Sequence, residues 1–205
     1  MTVSRRGFII GLPLFMAGCA TTEFTNDRQN YAAVSGERFP VAAMPLDRIK
    51  PELRRRVIAY DGNHRPGTIV VNTPERRLYY VMEGGRAMRY GIGVGREGLA
   101  LRGEATVGRK AEWPSWTPTQ NMINRDPRNR QFAGGVPGGL SNPLGARALY
   151  LYRGGRDTMF RIHGTTQPQT IGLAVSSGCV RMMNHDVIDL YERVPVGSRV
   201  VVIQA

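Results

Sequence analysis

From Thr68 onward the apolar residues recur on a strand-like beat. Thr68–Asn72, Arg77–Met82 and Arg86–Val94 are rich in β-branched, aliphatic and aromatic residues over runs of strand length, and Glu83-Gly84-Gly85 between the last two supplies a hairpin turn. The same pattern predicts strands at Ala105–Trp113, Leu149–Tyr152, Thr158–His163 and Ser198–Ile203. The expected fold class is therefore mainly β, an antiparallel sandwich or barrel. Two stretches break the rhythm. Pro114–Asn142 is rich in Pro, Gly, Asn and Arg and too long for an ordinary connector, which marks a lid or binding loop; Trp116, Arg125 and Tyr150 are candidates to line a cleft beneath it, although Trp116 fits a core position equally well. From Cys179 to Arg193, the residues Val180, Met183, Val187, Ile188 and Tyr191 recur at three- and four-residue spacing, which predicts one short amphipathic helix opening at the cysteine.

The start of the chain has a different organisation. Arg5 and Arg6, an apolar run from Phe8 to Met16 and small residues before Cys19 form the three-part layout of an export signal over residues 1–18. The run falls well short of the roughly 20 residues that span a bilayer. Ser4-Arg5-Arg6-Gly7-Phe8-Ile9 resembles a twin-arginine signal, and Met16-Ala17-Gly18-Cys19 resembles a lipobox with Met where Leu is usual. Lipidation of Cys19 and cleavage near Ala20 are both open. Residues 19–64 read as a tether, with Pro51–Ile58 as a short supporting helix, and a wholly flexible tether of this length reaches roughly 35–40 Å. The folded domain is expected over residues 65–205.

Length and charge narrow the function classes. A chain of 205 residues holds one sizeable core, and 41% hydrophobic with 21% charged residues excludes a disordered chain or a polytopic membrane protein. The formal charge is +12, almost all of it arginine. The arginines are scattered, without a basic run interleaved with aromatics, so nucleic acid is not the expected partner, and an anionic bacterial envelope satisfies the same electrostatics.

Only Cys19 and Cys179 are present, and Cys19 belongs to the signal region. An exported chain with one unpaired thiol points to a thiol in use, against the bland reading of a buried, inert cysteine. At a helix N-terminus Cys179 would be favoured as thiolate, and Ser177-Gly178-Cys179 would form a tight turn with backbone N–H groups for an oxyanion. Of three histidines, His64 precedes the strands and His185 sits on the expected helix; His163 ends a strand before Gly164-Thr165, where an imidazole can serve as base. One Cys and one His fall short of a zinc ligand set, so no metal is expected.

His163-Gly164-Thr165, followed sixteen residues after His163 by Cys179 within Ser176-Ser177-Gly178-Cys179-Val180-Arg181-Met182, resembles the signature of the L,D-transpeptidase family with its YkuD-like catalytic domain, in its Gram-negative-type form. Trp116-Thr117-Pro118-Thr119, Asn142-Pro143-Leu144-Gly145, Ala148-Leu149-Tyr150-Leu151 and Gly197-Ser198-Arg199-Val200 extend the likeness over about 140 residues. The resemblance implies a cysteine acyltransferase of the periplasm without a cofactor, with Cys179 as nucleophile, His163 as general acid and base, and backbone groups of Gly178, Cys179 and Gly164 at the oxyanion and imidazole. It implies peptidoglycan stem peptides as partners, with a second stem or an envelope protein as acceptor, and a membrane anchor if Cys19 is lipidated. Arg181 is a candidate for a stem-peptide carboxylate. Ser177 stands where many members have His, so a side-chain role at 177 does not carry over. A hydrolase or amidase on the same fold, and a non-catalytic wall-binding module, are the alternatives.

Overall fold

The computed structural model describes residues 26–95, 101–176 and 178–204. The export signal, Cys19 and Ser177 lie outside the described residues. The molecule is built on a nine-stranded sheet with the order β1-β4-β3-β2-β11-β6-β7-β8-β10, beside a two-stranded pair β5-β9. The strands are β1 (Arg56–Ala59), β2 (Ile69–Asn72), β3 (Arg77–Met82), β4 (Arg86–Gly91), β5 (Val94–Gly95), β6 (Gly103–Glu112), β7 (Arg147–Arg153), β8 (Arg156–His163), β9 (Ala174–Ser176), β10 (Val180–Arg181) and β11 (Arg199–Ile203). The fold is mainly β, as the alternation predicts. The large sheet is mixed, however. β2 joins β11 in parallel, Ile69 opposite Val200, and β8 joins β10 in parallel, Ile162 opposite Val180; the other neighbours are antiparallel. The run Ile69-Val70-Val71 is buried throughout, as a central strand with both faces covered requires.

One main core collects Ile69, Leu78, Tyr90, Val107, Leu149, Leu151, Ile162 and Val200 from the sheet, with Val187 and Leu190 from helix α3 (Asn184–Arg193). That helix corrects the expectation of one opening at the cysteine. It starts five residues later, and Cys179 instead precedes β10. Within 180–183 the apolar spacing that suggests a helix is two residues of strand followed by the lead into α3. Val180 and Met182 are buried while Arg181 between them is not, which is period two. Gly178 adopts φ 125°, which L side chains rarely adopt, and a Cβ at Gly95 would stand only 2.6 Å from its Cα, so β5 lies flush against the residue before the thiol.

The expected tether is, over its described part, packed onto the domain. Helix α1 (Asp27–Asn30) leads into Tyr31, which is buried with Ile49, Leu53, Ile171 and Met183 in a second core. Burying aliphatic side chains such as Ile49 and Leu53 contributes about 1.5–3 kcal/mol each. The Arg54 guanidinium ties Asp27 (3.0 Å) to the carbonyls of Leu46 and Ile49. Pro51–Ile58 is a single 3-10 turn, Pro51–Leu53, after which the chain enters edge strand β1. The reach of a free tether therefore does not apply to residues 26–64. Among the described residues no helix is long and apolar enough to cross a membrane.

Candidate active site

Two neighbouring strands carry the chemistry. Parallel pairing sets Arg181 opposite His163, and the Met182 N–H donates to the His163 carbonyl at 2.8 Å. Ile162 and Val180 point into the core, so the alternate positions, His163 and Arg181, face the other way, and Cys179 shares their side. All three line one open cleft of about 960 Å³ roofed by the lid. The lid folds as helix α2 (Gln120–Arg125), capped by Thr119, and a 3-10 stretch Pro127–Phe132. Trp116 and Arg125 line the cleft with Met122, Arg128 and Phe132. Tyr150 does not; it is buried beside the site, with the guanidinium carbons of Arg109 and Arg161 lying 3.4 and 4.3 Å from its ring centre.

The imidazole of His163 is buried beside the carbonyls of Gly164 and Leu144. Its Nδ1 lies 2.6 Å from the Gly164 carbonyl oxygen, which can only accept, so Nδ1 carries the proton and Nε2 keeps its lone pair. The Gly164 N–H donates to the Arg147 carbonyl at 3.1 Å, so this residue is held through both its N–H and its carbonyl. Asn142 Oδ1 accepts from the Leu144 N–H at 2.9 Å, and Asn184 Oδ1 accepts from the Ala146 N–H at 3.0 Å; both shape the loop around the imidazole. Gly145 at φ 64° and Gly164 leave no room there, since a Cβ on either would fall 2.2 Å from Asn184 Oδ1.

Burial lowers the His163 pKa to about 4; the charges of Arg181 and Arg161 work in the same direction, against the carbonyls of Gly164 and Leu144. Burial pushes the Cys179 thiol up, against a bond from the Arg161 backbone N–H and the charges of Arg161 and Arg181. Both groups rest neutral at pH 7. This corrects the expectation of a thiolate at a helix N-terminus, because no helix begins there. Sequence reasoning missed Arg161. It sits beyond a bulge in β8, where the pairing shifts between Tyr150 and Tyr152 and Met159 adopts φ 64°. Asp157 binds the Arg161 guanidinium with both oxygens (2.6 and 2.8 Å), and Cys179 Sγ lies 4.0 Å from the Met159 carbonyl. Bulges of this kind re-aim backbone groups beside active sites.

The remaining candidates separate. Arg181 reaches along the cleft to Gln167 Oε1 (3.3 Å). His64 bonds the Tyr60 hydroxyl (2.8 Å), and His185 donates from Nε2 to the Ala32 carbonyl (3.0 Å) under the N-terminal segment; neither lines the cleft. Among the described residues no cluster of three or more His, Cys, Asp or Glu is placed to hold a metal.

This arrangement has relatives. A probable L,D-transpeptidase, ErfK/SrfK, of Escherichia coli is 40% identical over 139 residues, 66% of this chain and 43% of that protein, so the chain spans less than half the length of this relative. A putative L,D-transpeptidase of Fuscovulum blasticum is 36% identical over 84% of this chain and 92% of its own. A Brucella melitensis crystal structure, described as a probable carnitine operon oxidoreductase, is 51% identical with a TM-score of 0.52, covering 76% of this chain and 96% of that one. The strand-end histidine and the cysteine just ahead of β10 fall inside residues 66–202, which match the model of the YkuD L,D-transpeptidase catalytic domain, and the chain belongs to that family.

Proposed function

We propose that this protein is a cysteine L,D-transpeptidase acting on peptidoglycan stem peptides, with Cys179 as nucleophile and His163 as general acid and base. The observation that carries the reading is the pair of neutral groups, one ending β8 and one leading into the adjacent β10, that line one open cleft, the imidazole latched through Nδ1 with Nε2 left as base. As Sγ attacks the carbonyl between an L- and a D-residue, the thiol proton passes to Nε2. The resulting imidazolium is held by the Gly164 carbonyl. The oxyanion is met by backbone N–H groups around Gly178 and Cys179, where Gly178 offers no side chain to obstruct approach. The C–N bond then breaks, His163 returns the proton to the departing amine, and a thioester remains on Cys179. An incoming amine, from a diamino acid of a second stem or a lysine on an envelope protein, attacks the thioester and loses its proton to His163. Collapse of this second intermediate releases the new amide and returns the thiol. Arg181 supplies a fixed fork for a stem carboxylate.

The setting belongs to the same reading: export by the N-terminal signal to the periplasm, with Cys19 either lipidated or removed. Incubating the protein with muropeptides and resolving the products by mass spectrometry tests it. New cross-linked dimers support the transpeptidase, trimmed stems alone make it a hydrolase on this fold, and unchanged muropeptides with an unreactive Cys179 leave a wall-binding module.

A further inference from the structure

We infer that Glu37, which lies ahead of the family-matched residues, is a positioning residue that locks both hinges of the lid and the backbone behind the His163 imidazole. This rests on the catalytic role proposed for His163. Val34 and Val41 pair as an isolated bridge, and the excursion between them, turned by Gly36 at φ 80°, carries Glu37 at its tip. The carboxylate is nine-tenths buried and accepts three bonds. Arg147 Nη2 approaches Oε1 at 2.6 Å, Arg147 Nη1 approaches Oε2 at 2.8 Å, and Trp113 Nε1 approaches Oε2 at 2.7 Å.

The two residues it joins stand at the two ends of the lid. Trp113 precedes Pro114 and turns the chain with φ 40°, and its carbonyl packs against Gly138, where a Cβ would fall 1.9 Å away. Arg147 opens β7 just after Gly145-Ala146. Both also bond the Ala146 carbonyl, Trp113 through its backbone N–H at 2.8 Å and Arg147 through Nη1 at 3.0 Å. From Arg147 the connection runs on to the base: its carbonyl accepts the Gly164 N–H, and the Gly164 carbonyl accepts His163 Nδ1. Phe39, edge-on to Trp113 with ring centres 5.1 Å apart, closes the cluster against water. The other carboxylate near Arg147 is Glu112, at 3.8 Å and largely exposed, too distant to replace a bidentate clamp. Glu37 thus sets the distance between lid entry and lid exit and steadies the peptide that aims the imidazole. A misplacement of reacting groups by an ångström costs about 100-fold in rate.

The test uses the full chain with Glu37→Gln, which keeps an acceptor for Trp113 and removes the charge, and Glu37→Asp, which keeps the charge on a shorter arm. Three readouts are taken at a temperature far below either variant's melting: trypsin cleavage in the lid at Arg125, Arg128 and Arg130, the pH profile of Cys179 alkylation by iodoacetamide, and kcat with a muropeptide donor. For Glu37→Gln the expected result is lid cleavage faster by about tenfold, an altered alkylation profile and kcat lower by about 10- to 100-fold. Glu37→Asp should recover part of each. Lower melting with all three readouts unchanged makes Glu37 merely structural and overturns the inference. If Glu37→Gln does not fold, wild-type values for all three in Glu37→Asp overturn it equally. Cleavage and alkylation need no turnover, so a shift in both with no wild-type activity on muropeptides refutes the transpeptidase reading and leaves the clamp standing.

Discussion

Two polar clusters, one at the cleft and one on α3 beneath the N-terminal segment, both pair a histidine with a perturbed acid. At the cleft, His163 is held near pKa 4 and the Cys179 thiol is raised. Under the N-terminal segment, burial lowers His185 and pushes Asp186 up to about 7, with Tyr31, Arg55 and Asp189 around them. Asp186 Oδ2 lies 3.4 Å from the Tyr31 hydroxyl, which also accepts the Arg55 N–H at 2.8 Å; Arg55 reaches the His185 carbonyl and Asn30. By perturbation alone the two are equivalent. They differ in access, since one opens on a cleft of about 960 Å³ and the other is sealed by α1 and Tyr31. Desolvation shifts any buried ionisable group, so a shifted pKa marks a functional site only where a substrate can arrive.

Replacing Cys179 breaks the comparison hardest. Cys179→Ala should form no acyl-enzyme at all while melting like the wild type, checked by intact mass after incubation with a carbapenem; adduct at the wild-type level would move the nucleophile elsewhere. His163→Ala should lose about 10² to 10⁴ in rate, as loss of a general base does. The acid limb follows from the depressed pKa. The imidazole must be unprotonated to take the thiol proton, so kcat/KM should stay level down to about pH 5 and fall only as pH approaches about 4. An acid limb near 6.5, the ordinary value for histidine, would show that the imidazole is not buried during turnover.

The sealed cluster should respond in stability, with activity unchanged. Asp186 has a native pKa of about 7 against 3.8 unfolded, so between these values the native state binds the extra proton. Its contribution to stability is present below pH 4 and is lost as pH rises through 7. His163 and His185, lowered in the native state, act in the opposite sense, binding protons more readily when unfolded. Asp186→Asn removes only the first effect. Its melting temperature relative to wild type should therefore rise between pH 4.5 and pH 8, with turnover within about twofold at pH 7. An equal offset at both pH values would mean that Asp186 is not buried as an acid.

The open cluster was largely legible in the sequence and the sealed one was not. Runs of β-branched, aliphatic and aromatic residues mark most strands within a residue or two because each packs at least one face on the core, and His163 and Cys179 stand out by their flanking glycines. The parallel joints between β2 and β11 and between β8 and β10 leave no local trace, since period two is the same in either direction. The helix begins at Asn184 and not at Cys179, because Val180, Met183 and Val187 satisfy a helical spacing over a stretch too short to separate it from a strand. Tyr31 and Asp186 are 155 residues apart, and Glu37 and Arg147 are 110 apart. Such partners are joined only by the completed fold, and a polar stretch without periodicity reads as a tether.

The smallest expected effect lies in the roof of the open cluster. Helix α2 has six residues, one buried side chain, Ile123, and one side-chain cap, Thr119 Oγ1 accepting the Met122 N–H at 3.2 Å. A helix this short has almost no stability of its own, so the cap is a large part of what orders it. Thr119→Ala should cost about 1 kcal/mol. That cost falls on local opening of the lid, because α2 contributes little to the main core. The floor is tied down separately, through Gly164 and Asn184. KM for a muropeptide donor should therefore rise about fivefold, the factor corresponding to 1 kcal/mol, while the global melting temperature and the rate of Cys179 alkylation stay at wild-type values. A matching loss of kcat or of melting temperature would show that roof and floor open together, and that the open cluster is as firmly built into the core as the sealed one.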